Sequence, residues 1–203
     1  LASARGGPRD LSAIARAVSL GRDISVRLTA QVSEAQGIDE HAPDIMMLIE
    51  DTQCAADLAD SLMPALADDM PLLARDGNFI RAGYDSSLDQ IRQLRDESRR
   101  LIAGLQADYA AQTDISSLKI KHNNVLGYHI EVRSLHGDKL MSDNQFIHRQ
   151  TTAQAVRFTT TELADMEKQM ASASDRALAV ELALFETLVK QVLARSPALE
   201  QTA

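Results

Sequence analysis

The sequence predicts a mainly α protein with a small antiparallel β-sheet inserted between two long helices. Three observations carry this. Ala, Leu and Gln are abundant while aromatic residues make up only 3%, a composition that favours helix. Two long stretches, after Asp85 and from Thr159, place apolar residues at three- and four-residue spacing, the mark of an amphipathic helix. Between them, in Leu118-Lys119-Ile120-Lys121 and Tyr128-His129-Ile130-Glu131-Val132-Arg133, the spacing changes to two, which is the strand period.

Each element follows in order. Pro8 with Leu11, Ile14, Ala15 and Val18 reads as a helix with proline in its first turn. Gly21 loosens it, so a second short helix is expected through Ile24, Val26, Leu28 and Val32. Residues 33–43 read as a loop, and a helix restarts at Asp44, with a break near Asp51-Thr52. Ala55, Leu58, Leu62 and Leu66 recur at helical spacing until Asp68-Asp69 and Pro71. Residues 70–84 form an extended connection with turn signals at Asp76-Gly77 and Gly83. Asp85 then caps a helix through Leu88, Ile91, Leu94, Leu101, Ile102, Leu105 and Tyr109, about 40 Å long at 1.5 Å per residue. Two strands joined by a turn at Asn123–Gly127 make a hairpin. A polar loop, His136–Asn144, leads to a third strand at Phe146-Ile147. A turn near Thr152–Gln154 precedes a fourth at Val156–Thr159. Thr159 and Glu162 have capping-box spacing. They open the longest helix, about 50 Å, with one apolar stripe at first and two after Ala177, which predicts deeper burial at its far end.

Composition excludes several classes. Apolar residues are 45% and charged residues 25%, which rules out bulk disorder. The single cysteine, Cys54, rules out a disulfide scaffold and reads as a small packed residue. No stretch is long and apolar enough for a membrane span, and no leader opens the chain; the reading is cytoplasmic. The chain opens on Leu1 rather than Met and is read as a piece of a longer protein. Net charge is −8, but residues 115–160 carry six Lys/Arg against three acids, together with four of the five histidines. A weakly basic segment thus sits in an acidic chain, as a solvated face or as a polyanion site. His122 and His129 have no acid or Cys at ligand spacing, so no metal site is expected. The pairs Asp68-Asp69 and Asp96-Glu97 read as solvated helix surface, and Met46-Met47 as core.

At this point the residues resemble a family. The run Gly77-Asn-Phe-Ile-Arg-Ala-Gly-Tyr-Asp-Ser-Ser-Leu-Asp-Gln-Ile-Arg resembles the signature of MutS-family DNA mismatch repair proteins ahead of their lever helix. Ser117–Val132 looks like the first hairpin of the family's clamp. Phe146-Ile-His-Arg-Gln-Thr and Arg157-Phe-Thr-Thr-Thr-Glu-Leu look like its return strands. The resemblance implies a core and lever region over 1–114, a four-stranded clamp over 115–160 at the tip of the helices, and a returning lever over 161–203. It implies two subunits of a homodimer around double-stranded DNA, held weakly and without sequence preference, in a nucleoid-associated protein. Mismatch reading in the family uses a Phe-x-Glu motif, and ATP with Mg²⁺ belongs to a P-loop domain. Neither motif occurs here, so this segment is expected to be non-catalytic and to hold no cofactor.

Backbone contacts need cations, amides, hydroxyls or main-chain N–H groups. The candidates are Lys119 and Lys121, then Asn123, Asn124 and Val125 on the first turn. Thr151, Thr152 and Gln154 lie on the second, with Arg149 and Arg157 at its base. Relatives often carry Lys at the position of Asn124 and Lys-Asn where this chain has Ala153-Gln154, so contact and its salt dependence are expected to be weak. Each candidate also has a structural reading. Lys119 and Lys121 keep an outer sheet face soluble, Arg149 and Arg157 pair with Glu131 or a helix acid, and the asparagines suit a tight turn. A helical scaffold for partner contacts, in a paralogue without a direct DNA role, is the alternative function.

Overall fold

The computed structural model describes residues 6–34, 46, 47, 49 and 56–197. Expectations on Cys54, on the 33–43 loop beyond its first two residues, and on the break at 51–52 lie outside the described residues. The order is α1 (Pro8–Glu34), α2 (Ala56–Ala65), α3 (Ser86–Thr113), β1 (Lys119–Asn123), β2 (Gly127–Arg133), α4 (Gly137–Met141), β3 (Ile147–Thr151), β4 (Ala155–Thr159) and α5 (Thr161–Ala194). The fold is therefore mainly α with a small inserted antiparallel sheet, as the sequence predicts. The chain divides into two compact units, Leu1–Ser86 with Leu178–Ala203, and Ser87–Ala177.

In the first unit, α1 packs on α2, burying Leu11, Ala15 and Val18 on one helix and Leu58, Ala59 and Leu62 on the other. The expected break at Gly21 does not occur. A mid-helix glycine costs only about 1 kcal/mol. The turn that follows is held by buried Ser25, whose hydroxyl donates to the Arg22 carbonyl, and by an Arg22–Asp60 ion pair to α2. Met46 and Met47 are exposed rather than core, whereas Ile49 is buried. The 70–84 connection is pinned by its ends. Leu66 and Ile80 form an antiparallel bridge, and the Arg81 N–H donates to the Ala65 carbonyl at 2.8 Å. Between them the chain reverses at Gly77 (φ 68°) and Asn78 (φ 62°). Phe79 is fully buried, meets Phe185 edge-on at 5.7 Å, and donates its N–H to the buried Glu181 carboxylate at 3.1 Å. Deeper burial of the far end of α5 is not found for the stripe from Leu178 to Leu193. Leu178, Leu182, Phe185 and Val189 are only half-buried and Leu193 is exposed; Leu188 and Val192 are the buried pair there.

In the second unit the sheet order is β1-β2-β4-β3, every neighbour antiparallel. Alternation sends Ile130, Val132, Val156 and Phe158 to an inner face. There they form one core with Ile102, Leu105 and Tyr109 of α3, with Leu140 and Phe146, and with Leu163 of α5. The predicted polar loop at 136–144 contains instead the one-turn helix α4, whose Leu140 plugs this core. The longest helix starts one residue later than the capping-box spacing suggests. Thr160, not Thr159, is the cap: its Oγ1 accepts the Leu163 N–H at 3.0 Å. Glu162 accepts the Tyr109 hydroxyl at 3.0 Å, and that hydroxyl also lies 2.8 Å from Thr160 Oγ1. Burial, with the Glu162 carboxylate beside it, pushes the Tyr109 phenol above its usual range, which keeps it protonated and donating. Helix α3 ends on Asp114 in a left-handed conformation (φ 53°), with the Ile115 N–H returning to the Ala110 carbonyl, a Schellman closure.

Candidate nucleic-acid interface

The outer sheet face is set by the same alternation. Directly paired residues share a face, so the register places Lys119 opposite Glu131 and Glu131 opposite Arg157. Lys121 sits one position diagonally from Glu131, opposite His129. Lys121 Nζ lies 2.6 Å from Glu131 Oε1, and Arg157 Nε lies 3.0 Å from Glu131 Oε2. A second nitrogen of Arg157 donates to Gln150 Oε1 at 2.7 Å. The Lys121 hydrogen bond, reinforced by Arg157 against the opposing effect of burial, holds the Glu131 carboxyl below its ordinary value of 4.5. The pairing reading of Arg157 is therefore what the geometry contains, and Lys121 joins it.

Lys119 and Arg133 stand differently. Both are exposed, and among the described residues neither is in an ion pair. They line a groove of about 600 Å³ with Lys121, Glu131, Ser117, Ser134 and Gln154. Arg133 was missed by the motif reading. Its signal was parity: it stands two residues from Glu131 and so shares its face.

The two turns have separate constructions. In the first, Asn123 Oδ1 accepts the N–H groups of Val125 (2.9 Å) and Leu126 (2.8 Å). Its side chain therefore works within the turn. The positive φ of the turn falls on Gly127 (66°), not on an asparagine. Glu167 of α5 clasps this turn by accepting the Tyr128 N–H at 3.0 Å. A Cβ on Gly127 would stand 2.0 Å from the accepting oxygen. Asn124 is exposed, and Val125 is 90% exposed at the apex. In the second turn, the Thr152 hydroxyl donates to the Ala155 carbonyl (2.9 Å) and accepts its N–H (3.1 Å). Gln154 is exposed, and its carbonyl accepts the Ser134 N–H. Thr151 Oγ1 lies 2.8 Å from His148 Nε2. Arg149 is exposed and is the extra residue of a bulge, since His148 pairs with Phe158 and Gln150 with Arg157.

The antiparallel pairing of β2 with β4 brings Arg133 beside Ala155, so the second turn lies at the Arg133 end of β2. The first turn lies at its Gly127 end. Six residue steps of about 3.3 Å separate the ends by roughly 20 Å. The structure therefore brings together Lys119, Lys121, Arg157 and Gln154, and it sets Asn123, Asn124 and Val125 apart at the opposite end of the sheet. No cluster of three His, Cys, Asp or Glu suited to a metal ion occurs among the described residues, and no helix there is long and apolar enough to cross a membrane.

These features define a helical module that carries an antiparallel sheet, one face in a shared core and the other cationic and open. The chain belongs to the MutS family of DNA mismatch repair proteins. The family model described as MutS family domain IV matches residues 83–176. The chain is 47% identical over 197 residues to the DNA mismatch repair protein MutS of Bartonella tribocorum, covering 95% of this chain and 21% of that protein. To the protein of the same name in Bartonella henselae it is 48% identical over 201 residues, again covering 95% of this chain and 21% of the relative. It thus spans about a fifth of the length of these relatives.

Proposed function

We propose that this segment is the lever and clamp part of a MutS-like mismatch repair protein and holds duplex DNA by its sugar–phosphate backbone. The clamp is 115–160; the flanking regions 1–114 and 161–203 link it to mismatch-reading and ATPase domains. The observation that carries the reading is the groove with Lys119 and Arg133, two exposed cations outside any described ion pair, beside the amide of Gln154. Cations and amides on an open face suit phosphate oxygens, which position a duplex without reading its sequence. The segment performs no chemistry itself; ATP and Mg²⁺ act elsewhere in the whole protein, a cytoplasmic, nucleoid-associated homodimer. In the full protein, replacing Lys119, Lys121, Arg133 and Arg157 together by Ala should weaken binding to a fluorescent homoduplex and flatten its salt dependence. An unchanged slope would remove this face from the DNA contact. One observation favours the scaffold reading: the first turn has no cation and presents Val125 at its apex.

A further inference from the structure

We infer that Glu131 is an internal counter-ion that competes with phosphate for Lys121 and Arg157, keeping the grip of this face on a duplex weak and reversible. The inference rests on the DNA-holding reading above and adds how that grip is regulated.

Three observations lead to it. The outer face presents four cations, Lys119, Lys121, Arg133 and Arg157, around one acid, so Glu131 alone sets the balance between them. Its side chain is only 17% exposed while that of Lys121 is 50% exposed. The carboxylate is therefore seated in the sheet and the cation reaches in from solvent. Both of its oxygens are engaged, one by the Lys121 ammonium and one by the Arg157 guanidinium.

A carboxylate and a phosphodiester each offer a pair of anionic oxygens to such donors, so the two ligands are exchangeable. An arriving phosphate meets Lys119 and Arg133 directly. It gains Lys121 or Arg157 only by displacing Glu131, which leaves a carboxylate next to the DNA. Arg157 keeps a partner in either state, because Gln150 holds its other nitrogen. The same hydrogen bond keeps the Arg157 side chain in place when the acid is neutralised.

The test is Glu131→Gln in the full protein, set beside Lys119→Ala/Arg133→Ala, with equilibrium binding to a fluorescent homoduplex over a salt series. Each added phosphate contact steepens the slope of log K against log salt by about 0.9 and is worth about eightfold at 0.1 M salt. Glu131→Gln should therefore bind about eightfold more tightly at 0.1 M with a slope steeper by about 0.9. The double variant should bind more weakly with a shallower slope. If the double variant weakens binding while Glu131→Gln leaves it unchanged or reduced, the counter-ion inference is wrong and the DNA reading stands. If neither variant moves the slope, the DNA reading of this face falls. Should Glu131→Gln melt early, Glu131→Thr, a strand-favouring neutral residue, gives the same readout. A merely structural role for Glu131 predicts looser binding in both variants, never a steeper slope.

Discussion

Replacing Gly127 by alanine perturbs two things at once, and the structure separates them. The backbone at this position has φ 66°, where a Cβ costs about 1–2 kcal/mol. The same Cβ would lie 2.0 Å from the Glu167 oxygen that accepts the Tyr128 N–H. Glu167 must swing away, and a hydrogen bond to a charged acceptor is worth about 1.5–3 kcal/mol. Together the loss should be about 3–4 kcal/mol. A double-mutant cycle isolates the second part. In a Glu167→Ala background the hydrogen bond is already gone, so Gly127→Ala should cost only the backbone part, with a coupling energy of about 2 kcal/mol. Urea denaturation followed by far-UV circular dichroism gives the energies. Hydrogen exchange of peptides over 119–133 shows whether the loss is local to the hairpin. Additive single and double variants, with coupling under about 0.5 kcal/mol, would refute the argument that Glu167 requires a glycine here.

Other outcomes follow from the same structure. Asp114→Gly should stabilise by about 0.5–1 kcal/mol, since glycine accepts the left-handed cap and the acid leaves the negative end of α3; a lower melting temperature would refute it. Tyr109→Phe should cost about 2 kcal/mol in urea denaturation, the worth of a buried hydroxyl bonded to a carboxylate. Phe79→Ala should cost about 3–5 kcal/mol by the same assay, because the ring is fully buried against Phe185. Because the folded-state pKa of Glu131 is lowered, its ion pairs stabilise above its ordinary value of 4.5 and are lost as pH falls through the folded value. Stability measured against pH should thus fall more steeply below 4.5 for the native chain than for Glu131→Gln.

The hairpins were legible because alternation and turn chemistry are local: Lys119–Arg133 shows period two and ends its turn on Gly127. Gly21 misled because a single glycine says nothing about Asp60, which holds the helix beside it from another element. Helix α4 has five residues, too few to display a helical period. The cap of α5 was ambiguous among three consecutive threonines, and the Tyr109 hydroxyl, far away in sequence, draws Glu162 aside. At the site, the residue types were legible but their grouping was not. Whether the two turns stand together depends on β2 pairing with β4, a long-range register that no local spacing encodes. The buried Glu181 gave no sign either, since its partner is a main-chain N–H 102 residues away.

The bulge at Arg149 has a consequence for the chain in company. Strand β3 is an edge, and all five of its residues face solvent. A straight edge of that kind is a template on which a neighbouring chain can lay down a strand and begin a growing ribbon. The extra residue breaks the two-residue cadence midway, so an incoming strand can register on one side of Arg149 or the other but not across it. Deleting Arg149 would restore the regular two-residue cadence and remove one device by which this edge resists pairing with a neighbouring chain.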